Sequence, residues 1–344
     1  MSTQANTRIG TALVIGISGG IGGEIARALH RRGWQIRALG RRPMTEAQVA
    51  MPEGSVTWRV GDALKEADVV SAAQGCSVIV HAVNPPGYHN WRGLVMPMLN
   101  NTIAAARATG ARILFPGTIY NYGPDAGTLL NEDSPQRPLT RKGKIRVEME
   151  DALRRAAERG VRTTIVRAGD FFGPRSTANN WFRQLIQPGK PVRAVRYPGP
   201  PSIGHSWAYL PDLGETFARL VERDEQADFE TFHFGGHWLP RGSEMTESIQ
   251  RVAKLDALRV SSLPWWAMRL VSPFVEVLRE IMEMRYLWHT PIQLDNRKLV
   301  AALGAEPHMP LDAAVHETLQ GLGCLPDVGA GSQLHSHAQV ERAT

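Results

Sequence analysis

Three glycines set the first chemical constraint. In ALVIGISGGIGGEIARAL, Gly16, Gly19 and Gly22 form a G-x-x-G-x-x-G array between a strand-sized apolar run and an amphipathic helical pattern. That context suits a pyrophosphate: Gly16 permits a tight turn, Gly19 lets the backbone approach the phosphates, and Gly22 lets helix and strand pack closely. Ser18, Gly20 and Ile21 complete the turn, where the first helical N–H groups and the positive dipole end face the anion. An acidic residue about 20 positions further on would bind the ribose 2′-OH of NAD. Here Arg41 and Arg42 stand at the end of the next strand. Their guanidinium forks match a 2′-phosphate in charge and geometry, so NADP is the expected cofactor and NAD the alternative. Asp62 and Ala63 follow the third strand, where an acid can meet the adenine amino group. Ala82 and Val83 follow the fourth and are expected to line the cofactor, with Asn84 beyond them on the substrate side. His81, ending that buried strand, reads as a hydrogen-bonded core histidine rather than an acid–base group.

With FPGTIYNYGPD, IVRAGDFFGP and HSWAYLPDLGETFARL, these residues resemble the short-chain dehydrogenase/reductase superfamily, in particular its extended branch of NAD(P)-dependent epimerases, dehydratases and reductases. The likeness runs by motif over residues 11–235. It implies Thr118 in the position of the catalytic serine, and Asp170 and Phe172 beside the nicotinamide and the substrate. It also implies Asp212 as the acidic residue of a helix start. The family's chemistry rests on a Tyr-x-x-x-Lys pair: the lysine lowers the tyrosine pKa and holds the ribose, and the tyrosine relays a proton as hydride moves. The matching stretch here is PLTRKGKIRVEMEDAL. With Lys144 as the lysine and Glu148 as the glutamate that follows, Thr140 occupies the tyrosine position. Its hydroxyl is a poor general acid. Tyr120 and Tyr122, flanking the Thr118 strand end, are the substitute proton donors, with loop packing as their other reading. Lys144, Glu148, Asp151 and Arg155 also share one helical face, as a solvated charged face does.

Behind these residues lies an alternation of strands and helices. Strand patterns at 11–16, 35–39, 56–60, 77–80, 112–115 and 163–166 interleave with helical patterns at 19–32, 66–74, 91–109 and 143–159. Right-handed crossovers then make a doubly wound parallel α/β sheet of Rossmann type. Gly117–Thr140 reads as a long loop, and loops of that length are usually functional. Helices at 211–222, 242–255, 265–287 and 311–322 and a strand at 229–234 follow. The expected division is a dinucleotide-binding part of residues 1–173 plus 206–235, a smaller C-terminal substrate lobe of 174–205 plus 236–325, and a disordered tail of 326–344. Trp265, Trp266, Met268, Met282, Met284, Tyr286 and Trp288 read as lobe core or as the lining of an apolar pocket. Leu94, Met98 and Ile103 on one helix, with Ile145, Met149 and Leu153 on another, leave a homodimer open.

Composition narrows the function classes. The chain has 344 residues, 43% hydrophobic and 21% charged, as an ordinary globular protein does. Net charge is +6, yet residues 135–197 alone hold 15 Arg and Lys against 5 Asp and Glu. Without zinc spacings or aromatic RNA-binding signatures, that excess suits an anionic small molecule better than nucleic acid. Cys76 and Cys324 are too few for a disulfide framework, and no metal-ligand spacing is present. The polar N-terminus lacks signal-peptide features, and residues 264–288 are interrupted by Arg269, Glu276, Arg279 and Glu280, too often for a membrane span. A cytoplasmic protein without a membrane partner is expected. The leading expectation is an atypical NADP-dependent oxidoreductase or epimerase acting on a small carbonyl or hydroxyl substrate. A non-catalytic NADP-binding redox sensor is the alternative from another class.

Overall fold

The structure, a computed structural model, describes residues 10–85, 91–177 and 180–325; the tail 326–344, expected to be disordered, lies outside the described residues. Its strands in chain order are β1 (Thr11–Ile15), β2 (Gln35–Gly40), β3 (Val56–Val60), β4 (Val78–His81), β5 (Arg112–Thr118), β6 (Leu129–Leu130) and β7 (Thr163–Ala168). Then come β8 (Asp170–Phe172), β9 (Ala194–Tyr197), β10 (His205–Tyr209), β11 (Phe229–His233), β12 (His237–Leu239), β13 (Arg259–Ser262) and β14 (Gln293–Leu294). The helices are α1 (Gly20–Arg31), α2 (Glu66–Ala73), α3 (Trp91–Thr109), α4 (Arg141–Ala157), α5 (Trp181–Leu185) and α6 (Leu210–Val221). They continue with α7 (Ser243–Val252), α8 (Trp265–Val271), α9 (Glu276–Glu283), α10 (Arg297–Leu303) and α11 (Leu311–Gly321).

Seven strands form one parallel sheet in the order β11-β7-β5-β4-β1-β2-β3. Its inner strands are buried on both faces because helices cover both: every residue of β4 and of β7 is buried. On one face α1 and α6 lie together, joined through Ile25, Leu29, Leu213 and Phe217. On the other, α2, α3 and α4 bury Val69, Leu99, Ile145 and Leu153. The strand order reverses between β1 and β4, and in such sheets ligands bind outside the carboxyl ends at that switch point.

A second core fills the C-terminal lobe, where Trp181, Phe182, Trp207, Tyr209 and Trp288 pack with Ile119, Tyr122 and Leu130 from the 117–140 segment. That segment, expected as a long loop, contains a 3-10 turn at Ile119–Asn121 and strand β6 because its apolar residues dock on the lobe. β5 runs on to Thr118 through Pro116, three residues past the expected end. Pro116 falls beyond the last β4 pairing, Val80↔Leu114, so its missing N–H removes no ladder bond. α4 starts at Arg141 rather than Gly143, because the Thr140 hydroxyl accepts the Gly143 N–H and caps the helix. The short sheets β12-β10-β8, β13-β9 and β14-β6 were not legible as strands. The apolar positions offered for a dimer are largely committed elsewhere. Ile103, Ile145, Met149 and Leu153 are buried in the chain's own core, which leaves only Leu94 and Met98 partly exposed.

Candidate functional site

The glycine turn sits at the switch point. Gly16 has φ +98°, and a Cβ there would lie 2.6 Å from the Ala82 carbonyl oxygen; one on Gly22 would lie 2.3 Å from that of Gly16. Neither position has room for a side chain. At Gly19 a Cβ would meet only the Gly16 carbonyl, at 3.2 Å, and otherwise open space. Gly19 is the N-cap of α1, without a side-chain cap, and no acidic residue stands in the first turn. The N–H groups of Gly20, Ile21 and Gly22 therefore face a cradle that an anion's oxygens can fill. Ser18 is exposed beside it. Further along α1, buried Glu24 is matched by Arg27 at 2.9 Å and Arg175 at 3.0 Å, so no unpaired negative charge opposes a phosphate. These residues fit a dinucleotide.

The flanks of the cradle fit as well. Arg41 and Arg42 are exposed past the end of β2, with no ion pair among the described residues. One Asp62 carboxylate oxygen accepts the Leu64 N–H at 3.0 Å, which fixes the turn after β3, and the Ala63 carbonyl accepts from Asn101 at 2.9 Å. Ala82 and Val83 are half-buried after β4, and the Asn84 side chain is held by the Trp91 indole N–H at 2.6 Å. His81 is a core histidine. Its Nδ1 lies 2.8 Å from the Thr102 hydroxyl, whose hydrogen goes to the Met98 carbonyl, so Nδ1–H donates. Burial, and secondarily Arg146, pushes it down to about 3.

Across the crevice, β5 ends in Thr118, which is half-buried and accepts the Tyr120 N–H at 3.2 Å. Tyr120, also half-buried, donates its phenol to Asp170 at 3.4 Å. The other Asp170 oxygen accepts from His205 Nε2 at 2.9 Å, and the His205 ring lies flat on Trp288 at 4.0 Å. Asp170 and His205 are 4% and 3% exposed, so this is a buried carboxylate with one partner reaching toward the crevice. Its charge is felt by the Tyr197 and Tyr286 phenols, which burial first and Asp170 second push upward.

Several expected site residues lie elsewhere. Tyr122 is fully buried: its hydroxyl bonds His233 Nε2 at 2.9 Å and receives Arg167 at 2.6 Å, and burial pushes its phenol up. Phe172 is fully buried among Phe182, Trp207, Tyr209 and His237. Thr140 uses its hydroxyl as the α4 cap. Lys144 is exposed on α4, as are Asp151 and Arg155. Half-buried Arg146, on the same helix, packs toward α3 and β5, its guanidinium over the Trp91 ring at 5.4 Å and the Phe115 ring at 5.9 Å. Sequence reasoning missed both Arg146 and His205. His205 has no local signal, because it reaches Asp170 only through the β8–β10 pairing, Trp207↔Asp170.

A family model, that of the NAD dependent epimerase/dehydratase family, matches residues 12–235 of the chain. No curated protein matches the sequence significantly. Among solved structures, UDP-glucuronic acid 4-epimerase from Bacillus cereus, in complex with UDP-glucuronic acid and NAD, superposes with a TM-score of 0.73 at 15% identity. That superposition covers 91% of this chain and 98% of the other. A putative epimerase from Burkholderia cenocepacia J2315 gives 0.71 at 17% identity over 92% and 98%. UDP-glucose 4-epimerase from Thermotoga maritima, with UDP-glucose, gives 0.70 at 15% identity over 90% and 98%. At these identities the likeness carries the fold alone.

Proposed function

The chain belongs to the NAD dependent epimerase/dehydratase family, and on that premise we propose that it is an NADP-dependent oxidoreductase or epimerase acting on a small carbonyl or hydroxyl substrate, with Tyr120 as its proton donor. The observation that carries the reading is the half-buried Tyr120 hydroxyl held on Asp170 beside Thr118, at the carboxyl end of the sheet. The α1 N-terminus and Gly19 hold the pyrophosphate, Arg41 and Arg42 the 2′-phosphate, and Arg146 takes the cationic role that Lys144 was expected to fill. The nicotinamide, when bound, supplies or accepts hydride. Thr118 donates a hydrogen bond to the substrate oxygen and orients it. Tyr120 turns its hydroxyl hydrogen from Asp170 to that oxygen and gives up the proton as negative charge develops there. His205, donating to the far Asp170 oxygen, keeps the carboxylate in register while the phenol moves.

Calorimetric titration with NADP(H) and NAD(H), followed by turnover on a carbonyl panel, tests this. One charge-assisted contact is worth about 1.5–3 kcal/mol, so NADP(H) should bind about 10- to 100-fold tighter, a preference that Arg41→Ala with Arg42→Ala erases. Tyr120→Phe should lose about 100- to 10,000-fold in turnover, and Tyr122→Phe should act through stability instead. Dinucleotide binding without turnover on any substrate would favour the redox-sensor reading. No dinucleotide binding would reject both.

A further inference from the structure

The lobe carries a helix that the fold covers on one side only, where Trp265 packs on the lobe core. α8 reads WWAMRLV, and none of its residues is buried. Phe274, in the turn that follows, is 87% exposed and Trp266 is 73% exposed. Of ten exposed large hydrophobic residues among the described ones, six (Val260, Trp266, Leu270, Val271, Phe274 and Val275) fall within residues 260–275. Scattered singly, such residues need no explanation; gathered in one stretch they mark an interaction surface. Trp266, Leu270 and Phe274 recur at four-residue steps, which continues one line along the helix and its turn.

The charge beside this patch is mostly basic. β13 leads into α8 and lies parallel to β9, with Arg259↔Ala194 and Ser261↔Arg196 in register. Arg193 and Arg259 flank the shallow basin between the two strands, and Lys190, Arg193 and Arg196 line an adjoining cleft of about 490 Å³. The segments 181–204 and 257–275 contain Arg183, Lys190, Arg193, Arg196, Arg259 and Arg269 and no Asp or Glu, with Asp256 and Glu276 just outside them.

We propose that this face docks on the surface of an anionic phospholipid bilayer. Trp266, Leu270 and Phe274 enter the boundary between headgroups and acyl chains, and Arg259, Arg269 and the β9 arginines meet the lipid phosphates. A second copy of the chain is the poorer occupant, because a two-fold contact would set like charges against each other. Nucleic acid would satisfy the arginines but leave Leu270, Val271 and Val275 facing a charged backbone. No helix among the described residues is long and apolar enough to cross a membrane, and this mode of binding needs none. The expectation of no membrane partner rested on the missing span and the missing signal-peptide features, neither of which bears on docking at a surface. Residues 283–288, downstream of the docking face, reach the candidate site and its surroundings: Glu283 accepts the Lys142 N–H at 3.3 Å, Tyr286 donates to the Tyr122 carbonyl at 2.8 Å, and Trp288 lies on His205.

The test is co-sedimentation of the full chain with vesicles of phosphatidylcholine alone and of phosphatidylcholine mixed with phosphatidylglycerol. The protein should partition onto the mixed vesicles, with tryptophan emission moving to shorter wavelength, and should come off at high salt. Leu270→Ser with Phe274→Ser should lower the partition about 100-fold, each buried apolar side chain being worth roughly tenfold. Arg259→Gln with Arg269→Gln should lower it about fivefold per residue. All four positions are exposed, and an unchanged urea midpoint shows that a variant still folds. Absence of binding to the mixed vesicles, or equal binding by every variant, overturns the proposal. So does a dimer in sedimentation velocity that Phe274→Ser dissolves, or binding to duplex DNA that outcompetes the vesicles.

Discussion

Acid should unfold this protein through three buried imidazoles. Burial first, and then Arg146, Arg167 and His308 in turn, pushes His81 down to about 3, His233 to about 3 and His237 to about 4. Their neutral state is built into the packing: His233 donates Nδ1–H to the Leu130 carbonyl at 2.9 Å and offers Nε2 to the Tyr122 hydroxyl. In the unfolded chain each imidazole takes up a proton near 6.5. A folded value held below the unfolded one means that this stability is fully present above about pH 6.5 and is lost as pH falls toward the folded value. Near pH 5 the unfolded chain binds almost one more proton at each site, and integrating down from neutrality gives about 2 kcal/mol per histidine. That figure hardly depends on how far below 5 the folded values lie. The three together amount to about 5–6 kcal/mol, comparable with the whole stability of many domains. Urea unfolding followed by circular dichroism at neutral pH and near pH 5 measures the loss. His81→Leu will shift stability at both pH values but should lose about 2 kcal/mol less between them than the wild type. Equal losses would refute the argument that His81 is neutral when folded.

Other outcomes follow from single contacts. Glu150→Gln leaves Arg167 without the carboxylate 2.7 Å away, in a site where both side chains are no more than 3% exposed. It should cost about 3–5 kcal/mol in urea unfolding, and a cost below about 1 kcal/mol would show that the charge is compensated elsewhere. Thr140→Ala should cost about 0.5–2 kcal/mol through the lost α4 cap, and Thr140→Ser should restore most of it. Gly19→Val should fold, since its φ of −79° suits any residue, yet abolish calorimetric dinucleotide binding by filling the cradle. Gly22→Val should fail to fold, because its side chain would meet the Gly16 carbonyl.

Where structure is local, the sequence was sufficient. The glycine turn, the arginines after β2, and the helices α1, α3 and α6 announced themselves because turn chemistry and a 3.6-residue period depend only on near neighbours. The parallel sheet followed, since alternating buried strands and amphipathic helices have few other ways to hide both sheet faces. What the sequence left open was settled by contacts between distant segments. Tyr120 and Tyr122 are two residues apart in one motif and could not be ranked from it. The 3-10 turn at Ile119–Asn121 directs Tyr120 to Asp170 and sends Tyr122, just past it, into the Arg167–His233 network, where a phenol is desolvated. Thr140 and Lys144 carried the expected spacing; helix capping engages the first, and the second stands exposed on α4. His205 gained its role only when β10 paired with β8, strands too short for any periodicity to reveal. Spacing along a chain states which residues can share a face; which face is buried, and against what, depends on the helices and strands that arrive from elsewhere to exclude water.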